Sequence, residues 1–252
     1  MTPARYPEHP APEPYSHFDP QEYLEEYYAQ LSEENAFLLD FYHETYGRLP
    51  AGLSVLELGG GPTIYQLLSA SRCAREIVFT DFLEVNRREI RRWLEGAPGV
   101  FDWSEYFQKV AGLEKDLDAV ALAARLRACI QRVGPCDLTR ENPLDPDVQT
   151  GFDVVSSAFC LEAVTQDPED FISFLRRIRA LLKPGGSLVA ALVRDSDAYK
   201  VGRHFFPACP LNEATLAAAL QGNGYRHVRI QTVETSRLHG YTGIMAVVAE
   251  KE

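Results

Sequence analysis

The sequence predicts an α/β protein on a mainly parallel sheet, and three observations carry that prediction. Leu53–Leu58 is an apolar run carrying one acid, Glu57, and it stops at a glycine triplet, Gly59-Gly60-Gly61, followed by Pro62. A second run, Glu76–Thr80, ends in Asp81, about 20 residues past the glycines, where a nucleotide-binding βα turn puts its ribose-binding acid. Further apolar runs near 133–137, 152–157 and 186–193 alternate with helical patterns, as βα units with right-handed crossovers do.

The elements follow in order. The start, MTPARYPEHPAPEP, has five prolines in fourteen residues and no apolar core, so residues 1–14 read as an extended or disordered lead rather than a targeting peptide. Asp19 and Pro20 give the N-cap and first position of a helix running to about Gln30. Ser32-Glu33-Glu34 starts another, to about Tyr46. The core begins at Leu53. After its glycine turn, Pro62 suits a first helical position, and Thr63–Ser71 has a helical pattern. A helix is expected to begin near Val85, and Gln108–Arg132 reads as a mostly helical, Ala- and Leu-rich insertion. Lys183-Pro184-Gly185-Gly186 stops a helix ahead of the fifth strand. Two last strands near 226–235 and 241–249 form a hairpin-like antiparallel edge. The expected organisation is one domain over residues 15–252, with N-terminal lid helices over 15–50 and the core over 51–252.

Composition narrows the function. The 252 residues, 46% of them hydrophobic, suit one large α/β domain. A net charge of −11 argues against a nucleic-acid surface and is compatible with a basic ligand. Five cysteines at 73, 129, 136, 160 and 209 show neither a CxxC pair nor metal spacing, so no metal is expected. An odd cysteine count without a signal sequence points to the reducing cytoplasm. No apolar run approaches the roughly 18 residues a membrane span requires.

The glycine turn also narrows the ligand. Its third dinucleotide-type glycine would fall near position 64, which is Ile64, and residues 57–66 contain no Lys or Arg. That is a poor pyrophosphate seat, and it argues against a nicotinamide-dinucleotide oxidoreductase. An adenosine without a phosphate fits better, which makes S-adenosylmethionine the expected cofactor. In an open α/β sheet the ligand sits beyond the carboxyl ends of the strands, so Gly59–Gly61, Asp81, Asp137 and Ala158–Glu162 should share one crevice. Asp137 and Leu138 should meet the adenine end. Asp81 alone could equally cap the helix near Val85. Glu162 lies among Phe159, Cys160, Leu161, Ala163 and Val164, and a carboxylate in such surroundings needs a cationic or N–H-bearing partner or exposure on a helix. Tyr23, Tyr27 and Tyr28 share a helix face that packing alone would explain. His239 and Tyr241 could be a proton acceptor and a ring-stacking wall, although a lone loop histidine is more often solvated.

Seven ordered blocks carry a resemblance. They are HFDPQEYLEEYY (His17–Tyr28), GGGPTIYQLLSA (Gly59–Ala70), TDF with Asn86 five residues after Asp81, WLEGAPGVFDWS (Trp93–Ser104), CDLT (Cys136–Thr139), CLEAV (Cys160–Val164) and LLKPGGSLV (Leu181–Val189). Over roughly Tyr15 to Lys251 the chain resembles the nicotinamide, phenylethanolamine and indolethylamine N-methyltransferase family. The resemblance implies a Rossmann-like class I methyltransferase fold: a mostly parallel seven-stranded sheet with an antiparallel edge, under N-terminal lid helices. It implies S-adenosylmethionine as donor and a small aromatic or heterocyclic amine as acceptor. It puts Tyr28 at the donor's carboxylate, Tyr65 beside the methionine moiety, Tyr23 over the reaction centre and an acid at the position of Glu162. By the same resemblance Gly59, Gly60, Gly61, Thr63, Asp81, Asn86, Asp137, Leu138, Ala158 and Phe159 form the donor site. On the acceptor side it suggests Tyr23 and Glu162; where the chain departs from the family, Asp195 or Asp197 near Tyr199 could stand in for its carboxylate, and His239 and Tyr241 replace the acidic loop of the phenylethanolamine member. The nicotinamide member has a carboxylate where aligning Tyr199 and Gly202 puts Leu192, a departure that argues against nicotinamide itself. Methylation of carbon or oxygen, or donor binding without catalysis, are the other readings of the same fold, and an acceptor screen separates them.

Overall fold

The computed structural model describes residues 14–144, 148, 150–235 and 240–252. All but Pro14 of the expected lead lies outside the described residues, as does His239.

The sheet grows from the apolar runs read in the sequence. Its strands are β1 (Leu53–Leu58), β2 (Ala74–Asp81), β3 (Ile130–Pro135), β4 (Phe152–Ala158) and β5 (Leu182–Arg194). A hairpin of β6 (Ala198–Val201) and β7 (His204–Pro207) follows, then β8 (Tyr225–Glu234) and β9 (Gly243–Lys251). The seven-stranded sheet has the order β3-β2-β1-β4-β5-β9-β8, and β6-β7 stand apart from it. The pairs of β1 with β2 and β4, of β2 with β3 and of β4 with β5 are parallel, while β9 runs antiparallel to both β5 and β8. The order reverses between β1 and β4, and ligands of open α/β sheets bind at the carboxyl ends beside such a switch.

Helices cover both faces. One face carries α2 (Glu33–Gly47), α3 (Glu84–Leu94), α4 (Ser104–Glu114) and α5 (Ala119–Cys129); the other carries α6 (Pro168–Leu181) and α7 (Glu213–Gly222). Leu38, Phe41, Tyr42, Trp103, Val110 and Leu122 build the first core, and Phe171, Leu175, Ile178, Leu216 and Leu220 the second. Each such side chain contributes roughly 1.5–3 kcal/mol on leaving water. The caps are as the residues require. Asp19 accepts from the backbone N–H groups of Gln21 and Glu22 at the start of α1 (Pro20–Tyr28), and Ser32 accepts from that of Asn35 in α2.

Two expectations need correction. Thr63–Ser71 is not an α-helix but two 3₁₀ turns, Tyr65–Leu67 and Ala70–Arg72. Side chains compete there for backbone acceptors: Ser71 Oγ donates to the Leu68 carbonyl at 2.6 Å and Gln66 Nε2 to the Gly60 carbonyl at 3.3 Å. Ile64, Tyr65, Leu67, Leu68 and Ala70 are all fully buried, so the segment has no solvent face of the kind an amphipathic helix needs. Second, α2 is not a lid. Leu38, Leu39, Phe41, Tyr42 and Tyr46 sink it into the core, so that only its first turn, at Glu34 and Asn35, reaches the cavity and the cover is made by the residues before it. Residues 198–207, for which no element is expected from the sequence, form the β6-β7 hairpin, against which the cover rests.

The cover is held at several points. Tyr27 Oη donates to the Lys200 carbonyl at 2.6 Å, and the Gly202 N–H donates to Glu26 Oε2 at 2.9 Å. Tyr15 stacks on Phe206 at 5.7 Å and its hydroxyl donates to the Ala163 carbonyl, across the carboxyl ends of the strands.

Candidate active site

Between the cover and the sheet lies a cavity of about 490 Å³, within the range that takes a small ligand whole. Its floor is backbone. Gly59 and Gly61 have φ of +67° and +62°, and Gly59–Gly61 all line the cavity. A Cβ on Gly59 would come within 2.0 Å of Cys160 Sγ, and one on Gly60 within 2.5 Å of the Phe79 ring. Only glycine lets the turn lie flat between the ligand and the core.

Asp81, at the end of β2, is 6% exposed and lines the cavity. Its Oδ2 accepts the Gly61 N–H at 2.8 Å, and Oδ1 accepts the Leu83 N–H at 2.8 Å and Asn86 Nδ2 at 3.0 Å. The carboxylate therefore ties the glycine turn to the residues just ahead of α3, whose N-cap is Leu83, and it lines the cavity without capping that helix. Burial raises its pKa, and the bonds from Leu83, Asn86 and Gly61 lower it. Asn86 Oδ1 is buried without a described partner, an acceptor left for a ligand hydroxyl. After β3, Asp137 and Leu138 line the adjoining wall; Asp137 Oδ1 accepts from the N–H and hydroxyl of Thr139 at 2.9 and 2.6 Å. Ala158 and Phe159 line the end of β4, with Phe159 held at φ +54°, a conformation costing about 1–2 kcal/mol outside glycine.

Glu162 is 1% exposed and lines the same cavity. Its Oε1 accepts the Val193 N–H at 2.8 Å, while Oε2 has no described partner. Burial pushes its carboxyl up to about 7 against the pull of the Val193 N–H. Tyr23, Tyr27 and Tyr28 face it from the cover. The Tyr23 and Tyr28 hydroxyls are 3.3 Å apart, and burial pushes the Tyr23 phenol up to about 12. Tyr199 enters on β6 and Tyr241 from the segment before β9. The Tyr241 hydroxyl donates to Glu34 Oε2 at 2.9 Å.

Not every expected residue reaches this space. Thr63 and Tyr65 lie one layer behind it: Thr63 Oγ1 donates to the Gly60 carbonyl at 2.8 Å, and the Tyr65 ring backs Tyr28 at 5.1 Å. Asp195 and Asp197 do not line it. The chain turns outward at Asp195, with φ +53°, and that carboxylate accepts from Thr242 Oγ1 at 2.9 Å; Asp197 is exposed. Tyr15, Phe18, Glu34, Phe82, Cys136 and Cys160 line the cavity without having been singled out. Phe82, Cys136 and Cys160 sit inside TDF, CDLT and CLEAV beside residues that were; Glu34 read only as an acid at a helix start, and no local pattern marks it.

Among the described residues no Lys, Arg or His lines the cavity. A flat glycine floor, a wall acid with a free amide oxygen beside it, and no counter-charge for phosphate fit a cationic nucleoside without phosphates. The sequence model of the NNMT/PNMT/TEMT family matches residues 10–252. The chain belongs to this family. It is 33% identical over 247 residues to human nicotinamide N-methyltransferase, covering 94% of each chain. It is 38% identical over 197 residues to human phenylethanolamine N-methyltransferase, covering 77% of this chain and 70% of that one. Among solved structures, magnesium protoporphyrin IX methyltransferase from Synechocystis PCC 6803 with bound SAM superposes with a TM-score of 0.56 at 14% identity, covering 92% of this chain and 90% of that one. The fold is the Rossmann-like methyltransferase fold, and this family member is an N-methyltransferase that uses S-adenosylmethionine.

Proposed function

We propose that the acceptor is a small aromatic amine with a basic nitrogen, which Glu162 holds against the methyl donor under the cover formed by Tyr15–Tyr28. The observation that carries this reading is the unpartnered Oε2 of Glu162, buried in a cavity walled by tyrosine and phenylalanine rings. A buried carboxylate oxygen without a partner is unstable until a cation or N–H donor meets it. The rings offer faces for stacking an aromatic acceptor and for attracting its charge.

The residues have separate tasks. Gly59–Gly61, Asp81, Asn86, Asp137 and Leu138 hold the donor; Tyr28 supports its methionine end. Bound there, S-adenosylmethionine supplies an electrophilic methyl group on a sulfonium. Glu162 and the rings of Tyr23, Tyr199 and Tyr241 hold the nitrogen in line and keep water out. A neutral amine attacks without a strong base, and its proton leaves afterwards through Glu162 or water. His239, two residues before Tyr241, is a further acceptor for that proton. The acceptor is a small molecule rather than a nucleic acid, in keeping with the net charge of −11. Five free cysteines, Cys73, Cys129, Cys136, Cys160 and Cys209, suit a reducing cytoplasm.

A mass-spectrometric screen with the methyl donor and a panel of amines, indoles, phenols and keto acids tests the proposal. Methylation on nitrogen of basic aromatic amines, with phenols and keto acids inert, is the expected result. Methylated oxygen or carbon without any amine product would overturn it.

A further inference from the structure

Behind the glycine floor lies a second buried carboxylate that the chemistry above does not use. Glu57 is the one acid of β1 and is fully buried. Its Oε1 accepts from Gln66 Nε2 at 3.0 Å, and its Oε2 has no described partner. Among the described residues it forms no ion pair with Lys, Arg or His. Gly60 lines the cavity on one side, and on the other a Cβ built there would come within 2.8 Å of Glu57 Cγ. The turn at Gly60, packed against both the Glu57 side chain and the Phe79 ring, therefore lies between this side chain and the ligand space. Gln66 and Thr63 fix that thickness, both donating to the Gly60 carbonyl, at 3.3 and 2.8 Å.

The far side of Glu57 is equally poor in compensation. Ser156 is its register partner on β4, and Tyr46 and Tyr42 face it from α2, with Tyr65 alongside; their hydroxyls are all buried without an aligned hydrogen bond. The other titratable groups that feel it are Asp81 from β2 and Cys160 after β4. None of these is a cation.

We propose that Glu57 acts through the glycine floor as a positioning residue that makes the cavity prefer the cationic sulfonium donor over the neutral thioether left after transfer. A charge in a low-dielectric interior acts strongly across short distances, and here the turn at Gly60 is the layer between the carboxyl and the cavity. Burial holds the Glu57 carboxyl up to about 7, with Ser156 and Gln66 opposing and Asp81 adding to the rise. A cation over Gly60 draws it toward the ionised form, and binding then releases the proton. When the positive charge departs with the methyl group, that attraction ends, which favours exit of the spent donor.

The inference rests on the donor occupying this cavity, not on the identity of the acceptor. Calorimetry of donor and thioether product, each titrated into the wild-type protein in buffers of different ionisation enthalpy, tests it. The donor should release more proton than the product does. The ratio of donor to product affinity should rise roughly three- to tenfold between about pH 6 and about pH 8. Asp81 faces the ribose common to both ligands and cancels from that ratio. Glu162 lines the same cavity and is also raised to about 7, so the comparison is made in a Glu162→Gln background: there the rise with pH should persist, and adding Glu57→Gln, which keeps the shape, should make the ratio flat with pH. An unchanged ratio in Glu57→Gln, or equal weakening of both ligands, would overturn the proposal and leave Glu57 a prop for the turn. Failure of either ligand to bind the wild type would instead remove the donor site. Should Glu57→Gln not fold, carbon-13 titration of the wild-type glutamate carboxyls decides: a lower midpoint for Glu57 with donor than with product is expected, and equal midpoints overturn the idea.

Discussion

The two halves of the cavity are built in different ways. The half proposed for the donor is made of strand ends and the turns that follow them: Gly59–Gly61 after β1, Asp81 on β2, Asp137 and Leu138 after β3, Ala158 on β4. Its key contacts are backbone N–H groups bound to a carboxylate, as in the Gly61 and Leu83 bonds to Asp81. The half proposed for the acceptor is made of side chains delivered from far apart in the chain. Tyr23 and Tyr27 come from α1, Glu34 from α2, Glu162 from the β4 end, Tyr199 from the hairpin and Tyr241 from before β9. The difference teaches that a ligand held by main chain leaves a local signature in sequence, while one held by converging side chains leaves scattered ones.

The sharpest way to break this division is at Asp81. Asp81→Ala removes charge-assisted hydrogen bonds and loosens the glycine turn, and should weaken donor binding by about a hundredfold or more. Calorimetry giving unchanged affinity would take Asp81 out of the site. At the other half, Glu162→Gln should raise the acceptor KM about tenfold while donor affinity stays within about twofold. Parallel losses of both would mean the halves are not separable. Tyr23→Phe should lower kcat by roughly threefold to tenfold with little change in melting temperature. A lower melting temperature with full activity would make Tyr23 packing alone.

Glu162 also predicts a pH effect on stability. Its carboxyl binds a proton more tightly folded than unfolded, because burial raises it to about 7. That contribution is full in acid below the ordinary carboxylate range and is lost as pH rises toward about 7. Ligand-free Glu162→Gln should therefore melt above the wild type at about pH 8, by roughly 2–4 °C, with the gap closing toward about pH 5. A gap independent of pH would assign the gain to something other than ionisation. The smallest effect is expected at Asp195, whose carboxylate is turned to Thr242 outside the cavity. Kinetic constants of Asp195→Ala should match the wild type within about twofold, and a large rise in acceptor KM would return this segment to the acceptor wall.

Much of the fold was legible because strand and turn chemistry is local. The runs at β1 and β2, the Asp19 and Ser32 caps and the antiparallel edge follow from neighbouring residues. The 3₁₀ turns over 63–72 were not, since the competition of Gln66 and Ser71 for backbone carbonyls depends on burial. The hairpin at 198–207 was hidden for a similar reason: its short strands pair only with each other and rest on the cover through Tyr15, Phe18 and Phe206. Asp81, Glu162, Tyr199 and Tyr241 were readable as candidates, and all four line the cavity. Asp195 and Asp197 misled because proximity in sequence to Tyr199 says nothing of which way a turn throws a carboxylate. Glu34 needed the third dimension altogether.

One cover spans both halves. Tyr15 reaches the Ala163 carbonyl on one side, and Tyr27 and Glu26 grip the hairpin on the other. The two ligands therefore have no separate doors. Loosening those few bonds would open the donor and acceptor ends together.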